Sequence, residues 1–145
     1  MSQENVEIVR RAMAAMISAQ TNRRGDGSFR EGDRAAAFAL LHADHELVPY
    51  MTSLEGTSFR GEQGYREWLE RLDEAWESWE AVPEEVREID NARVLVTYRF
   101  TARSRLGVPI DEQSAWIITV RNGRLARTEA YSAIQEALKA VGLEE

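Results

Sequence analysis

The chain is predicted to fold as an α+β domain, and three features carry that prediction. Apolar residues recur at helical spacing in the first half, two-residue alternation takes over after residue 80, and an Asn-Gly pair divides two β-rich runs near the end. Helices grouped ahead of strands fit an α+β arrangement better than the regular alternation of a parallel α/β sheet.

The totals bound the answer. With 145 residues and 43% hydrophobic content the chain is one domain with enough apolar material for a sizeable core. A net charge of −7 argues against a nucleic-acid groove, which needs a basic surface. The absence of cysteine excludes disulfides, thiolate metal sites and a cysteine nucleophile. No window approaches the roughly 20 apolar residues of a membrane span, and the charged start MSQENVEIVRR has no apolar stretch of signal-peptide type. The expectation is a cytoplasmic protein that binds neither nucleic acid nor membrane.

Val6, Val9, Met13, Met16 and Ile17 form an apolar stripe, predicting a helix over 3–20 with Glu4 and Glu7 at its electropositive start. Residues 21–33 collect Gly25, Asp26, Gly27, Gly32 and Asp33 without periodicity and read as a loop, open to two interpretations, a lid or disorder. Asp33 is placed to cap a second helix over Arg34 to His42. A strand follows at His45 to Met51, then a turn to Gly61. Gly64 to Trp79 reads as the clearest helix, with Trp68, Leu69, Leu72, Trp76 and Trp79 on one face and Glu67 and Arg71 set for an i,i+4 pair. Val82 to Ile89, interrupted by Pro83, is an edge strand. Arg93 to Arg105 alternates Val94, Val96, Tyr98 and Phe100 against Leu95, Thr97, Arg99 and Thr101. Ile110 to Arg121 and Leu125 to Tyr131 flank Asn122-Gly123, which predicts a type I′ hairpin. Ser132 and Gln135 have the spacing of a capping box for a last helix, ended by Gly142.

Several local motifs occur in a telling order: the opening SQENVEIVRRAM, Gly32-Asp33 at a helix start, Ala43-Asp44-His45-Glu46 entering a strand, Phe59-Arg60-Gly61 before the long helix, and Val120-Arg121-Asn122-Gly123-Arg124-Leu125 at the late hairpin. Together they resemble the SnoaL-like branch of the nuclear-transport-factor-2-like superfamily over nearly the whole chain, with a first loop longer than is usual there. The resemblance implies a cone: a curved antiparallel sheet, of the cystatin-like roll type, wrapped around N-terminal helices. It also implies a pocket for a small hydrophobic or carbonyl-bearing molecule, a homodimer formed through the outer sheet face, and no cofactor. The superfamily includes isomerases, cyclases, dehydratases and hydrolases as well as non-catalytic binding or interaction modules, so function must be argued from the site.

Matching segments to known active sites removes most of them. Where ketosteroid-isomerase-like members carry a helix-1 tyrosine and a first-strand aspartate, this chain has Ala12 and Pro49. Where limonene-epoxide-hydrolase-like members carry their Asp-Arg-Asp trio, tyrosine and asparagine, it has Leu47, Pro49, Arg99, Thr101 and Ala130, so only the arginine is kept. Near the acid/base aspartate of the polyketide cyclases it offers Glu129, Ala130 and Tyr131. The same matching turns Leu47, Pro49, Met51, Thr97, Arg99, Thr101, Glu112, Ser114, Trp116, Ile118, Thr128 and Ala130 inward, where Met13, Ile17, Trp68 and Leu72 complete a pocket; a register slip of one residue inverts any of these strands.

Four residues are candidates for chemistry. Arg99, if inward, either holds a substrate oxygen or pairs with Glu112 or Glu129; the other reading leaves it on the outer face. His45 is either an acid/base group or a solvated histidine at a strand entrance. Glu112 is either a general base beside Arg99 or part of a solvated rim, and Tyr131 either an oxyanion donor or a strand anchor. His42 and His45 with Asp44 and Glu46 match no standard metal-ligand spacing, so no metal is expected.

Overall fold

The computed structural model describes residues 2–21, 23, 31–49 and 58–143. Among the described residues, four helices and six strands run in the order α1 (Ser2–Thr21), α2 (Glu31–Phe38), β1 (Leu41–Val48), β2 (Phe59–Arg60), α3 (Gly61–Ala75), β3 (Trp76–Glu88), β4 (Arg93–Ser104), β5 (Pro109–Arg121), β6 (Arg124–Tyr131) and α4 (Ile134–Ala140). The strands form one curved sheet in the order β2-β1-β6-β5-β4-β3. The α+β class is therefore as predicted, but the sheet is mixed. β1 lies parallel to β6, with Leu47 beside Thr128, while the other neighbours are antiparallel.

Both faces of the sheet are covered here, and this explains why β4 is buried on both sides over residues 94–98. On the concave face Val94, Val96, Tyr98 and Phe100 join Trp116, Ile118 and Val120 against Val9, Ala12 and Met13 of α1 and Leu69 and Leu72 of α3. On the outer face α4 sets Ala137 and Leu138 over Leu95, Ala115 and Ile117. Each large side chain buried this way stabilises the fold by about 1.5–3 kcal/mol. The hairpin between β5 and β6 has the predicted form, with Asn122 at φ 53° and Gly123 at φ 75°. The Glu67–Arg71 pair is present at 3.1 Å, and β3 is an edge strand.

Several boundaries move, each for a tertiary reason. Helix α3 ends at Ala75, so Trp76 and Trp79 belong to β3 and not to a helical face. Two backbone carbonyls of the last helical turn, those of Asp73 and Glu74, accept from the Arg105 guanidinium at 2.6 and 2.8 Å, and Trp76 is already extended and paired with Ser104. Helix α2 starts at Glu31 instead of Arg34, and β1 starts at Leu41 because Leu41 pairs with Leu125. His42 is consequently a strand residue, its Nδ1 accepting the Asp44 amide at 3.1 Å. The expected capping box of α4 does not form: Ala133 occupies the N-cap and Ser132 Oγ donates to Glu136 at 2.9 Å. Gly142, at φ 77°, closes that helix as expected. Most of the predicted 21–33 loop and Met51 lie outside the described residues. Among the described residues no helix is long and apolar enough to cross a membrane.

Candidate functional site

A cavity of about 60 Å³ lies between the concave face, α1, α2 and α3. Its walls include Met13 and Met16 of α1, Phe38 of α2, Tyr65 and Trp68 of α3, Trp116 and Ile118 of β5, and Leu47 and Thr128 on the parallel pair β1–β6. A second cavity of about 30 Å³ shares Trp68, Trp79, Ala81 and Trp116 with the first and is completed by Pro49, Leu72, Tyr98, Phe100 and Ala130. The larger space is enough for roughly four to six waters, the scale of a one- or two-ring molecule.

Aromatic rings set the shape of these walls. Tyr98 and Trp116, cross-strand neighbours on one face, stack at 3.9 Å, and Tyr65 meets Phe38 and Trp68 edge-on at 5.4 and 5.8 Å. Tyr65, Trp68, Leu69 and Leu72 form one face of α3 because they recur at three- and four-residue spacing. The surface offered to a ligand is therefore flat and largely apolar.

Among the described residues, and setting the indoles aside, four polar side chains belong to the larger wall: Gln20, Arg34, Tyr65 and Thr128. Gln20 is used structurally, its amide donating to the Ala81 carbonyl at 2.9 Å and accepting the Ala81 amide at 2.8 Å, which ties α1 to β3. Burial pushes the Tyr65 phenol up to about 12, so it stays a neutral hydroxyl at physiological pH. Thr128 meets His45, whose Nε2 lies 2.9 Å from Thr128 Oγ1.

His45 is the most unusual titratable group in the described chain. The parity of β1 that turns Leu47 inward turns His45 inward too, where it is fully buried beneath the Tyr65 ring at 5.9 Å. Burial drives its imidazole down to about 4, against a smaller upward pull from the Glu46 carboxylate, so it is neutral near pH 7. Its Nδ1 is buried and meets no hydrogen-bond partner among the described residues. The reading of a solvated histidine at a strand entrance is thus corrected: the strand begins four residues earlier than predicted, and position 45 lies inside it.

The other candidates do not converge on the cavity. Arg99 is on the outer face, with its side chain 44% exposed, donating to Asp111 at 2.7 Å and pairing with Glu84 at 3.6 Å. The physical reason is register: Tyr98 pairs with Ser114 and Val96 with Trp116, so the face shared with Trp116 carries the even-numbered residues of β4. Thr97 and Thr101 follow Arg99 outward, Thr97 buried opposite Ala115 and Thr101 opposite Asp111. Glu112 is exposed at the far end of β5, opposite Phe100. Tyr131 lies on the outer face beside α4, its hydroxyl donating to Glu129 at 3.3 Å; burial first, then Glu129, raises its pKa. Ile17 is 39% exposed at the end of the α1 stripe. Ser114 is buried, its hydroxyl on the Ser132 carbonyl at 3.4 Å, and lines neither cavity. Met13, Leu47, Trp68, Trp116, Ile118 and Thr128 line the larger cavity, and Pro49, Leu72 and Ala130 the smaller one.

The model of the SnoaL-like domain matches residues 7–128. This chain belongs to the SnoaL-like family. No curated protein matches it, but solved structures share the SnoaL-like fold over almost their full lengths. TerC, co-crystallised with polyporic acid, is 20% identical at a TM-score of 0.68, over 96% of this chain and 98% of that one. A nuclear-transport-factor-2-like protein of unknown function from Burkholderia pseudomallei K96243 is 16% identical at 0.69, over 95% and 97%. A protein from Jannaschia sp. CCS1 named as a SnoaL-like polyketide cyclase is 16% identical at 0.68, over 99% and 95%. At these identities the likeness is one of fold. Within the SnoaL-like cone, sequence reasoning missed Tyr65, although it sits three residues before Trp68 on the same helical face.

Proposed function

We propose that this SnoaL-like chain binds a flat, largely apolar molecule of one or two rings in the cavity between α1, α3 and the concave sheet. The observation that carries this reading is the wall itself: ring faces and aliphatic groups make up most of it, and among the described residues none that lines the space is a carboxylate. Among the described residues, strongly perturbed acids do not converge there, which favours binding over general acid/base turnover. TerC with polyporic acid and the Jannaschia protein named as a polyketide cyclase support a small organic ligand for this cone.

A second reading, cofactor-free isomerisation or cyclisation, has one supporting observation. His45 and Thr128 form a buried polar pair at the wall, where a proton relay could touch a ligand from the inner sheet. Thermal-shift and calorimetric titration with 1-tetralone, naphthalene and their congeners tests the binding reading. Saturable binding that disappears in Ala12→Phe is the expected result; no binding by any member of the series refutes it. Product analysis by mass spectrometry on the same mixtures separates turnover from binding.

A further inference from the structure

We infer that Thr128, oriented by His45, presents a hydrogen-bond donor to the cavity and selects ligands that carry a carbonyl-type oxygen. This rests on the binding reading above and adds a chemical class to it.

The inference starts from an inequality between the two ring nitrogens of His45. The ring is fully buried, Nε2 has Thr128 Oγ1 at 2.9 Å, and Nδ1 has no partner among the described residues. A neutral imidazole carries one N–H and one bare nitrogen. Placing the proton on Nδ1 would bury an N–H with no acceptor, the rarer and costlier kind of orphan; placing it on Nε2 leaves only a bare lone pair unmatched. Nε2 therefore donates and Thr128 Oγ1 accepts.

That assignment fixes what Thr128 can do. With a lone pair occupied by His45, its own O–H proton is free to rotate away from the ring, and Thr128 is part of the cavity wall. Its position on β6 is pinned on both sides, paired with Leu47 of β1 and Ile118 of β5, two residues that themselves line the cavity. A ketone or quinone oxygen, an acceptor without a proton, is the complement of such a hydroxyl. A hydrocarbon of the same outline would leave it unmatched. Tyr65, whose phenol stays protonated, belongs to the same cavity wall, its ring 5.9 Å from that of His45. His45 is in this scheme a positioning residue, acting through Thr128.

The test compares 1-tetralone with tetralin, its deoxy counterpart, by calorimetry on the full chain. The preference for the ketone should fall about fivefold in Thr128→Val and persist in Thr128→Ser, with tetralin affinity changed little in either. Nitrogen-15 NMR of the histidine rings should show a protonated Nε2 and a pyridine-like Nδ1 for His45. An Nδ1-protonated ring, or an unchanged ketone preference in Thr128→Val, overturns the inference while leaving the apolar pocket standing. Failure of both compounds to bind the wild-type chain overturns the pocket reading and the inference with it.

Discussion

Burial of neutral His45 makes the stability of this fold fall with acid over a window that can be specified in advance. The unfolded imidazole has the ordinary value of 6.5 and the folded one is pushed down to about 4. Between those values the unfolded chain binds a proton that the folded chain refuses, so folding stability rises with pH across the window. The contribution is fully present above pH 6.5, is lost as pH falls towards 4, and changes no further below that. A difference of this size is worth about 3 kcal/mol in total, of which about 2.5 kcal/mol has gone at pH 4.5. Carboxylates held low in the fold, such as Asp90 bonded to Arg93, also weaken in acid, so the wild-type profile alone is not diagnostic. His45→Gln removes the titration while its amide keeps a donor for Thr128. Urea unfolding of both proteins at pH 7.5 and 4.5 should show the gap between them shift by about 2.5 kcal/mol in favour of the variant at the lower pH. Parallel profiles, with the gap constant to within about 0.5 kcal/mol, would falsify the claim that His45 is held neutral by burial.

Other perturbations have equally definite signs. Gly64→Ala on α3 would ordinarily stabilise a helix by about 1 kcal/mol. Here the added Cβ would meet the Phe59 backbone carbon at 2.8 Å, so a net loss of about 1–3 kcal/mol is expected in chemical denaturation. Arg99→Ala should leave stability almost unchanged in urea unfolding, because its partners are surface carboxylates, and should leave ligand affinity unaltered in the same titrations. A large loss of binding in that variant would return Arg99 to the site. Trp116→Ala removes a wall of both cavities and the stacking partner of Tyr98, and should lower stability by about 3–5 kcal/mol by urea unfolding.

Much of the architecture was legible because it depends on local chemistry. The α1 stripe, the alternation of β4 and β5, and the positive-φ turn at Asn122-Gly123 each follow from residue type and spacing, and the motif order pointed to the SnoaL-like cone. Periodicity could not say where the run from Trp68 to Trp79 changes from helix to strand, since Trp76 and Trp79 continue a helical spacing by coincidence. What ends the helix is pairing with β4, together with Arg105, a residue distant in sequence.

The site was the least legible part for the same reason. Alternation sorts the residues of β4 into two faces without saying which face is inside, and with α4 covering the outer face over residues 94–98 both look buried. Only the register against Trp116 sends Tyr98 inward and Arg99 out to Asp111 and Glu84. The sequence by itself determined most of the elements, the hairpin and the apolar supply of the core. Tertiary structure alone decided that His45 is dry, that Tyr65 covers it and that Thr128 meets it. Burial is a property of what surrounds a residue, and those surroundings come from segments far apart along the chain.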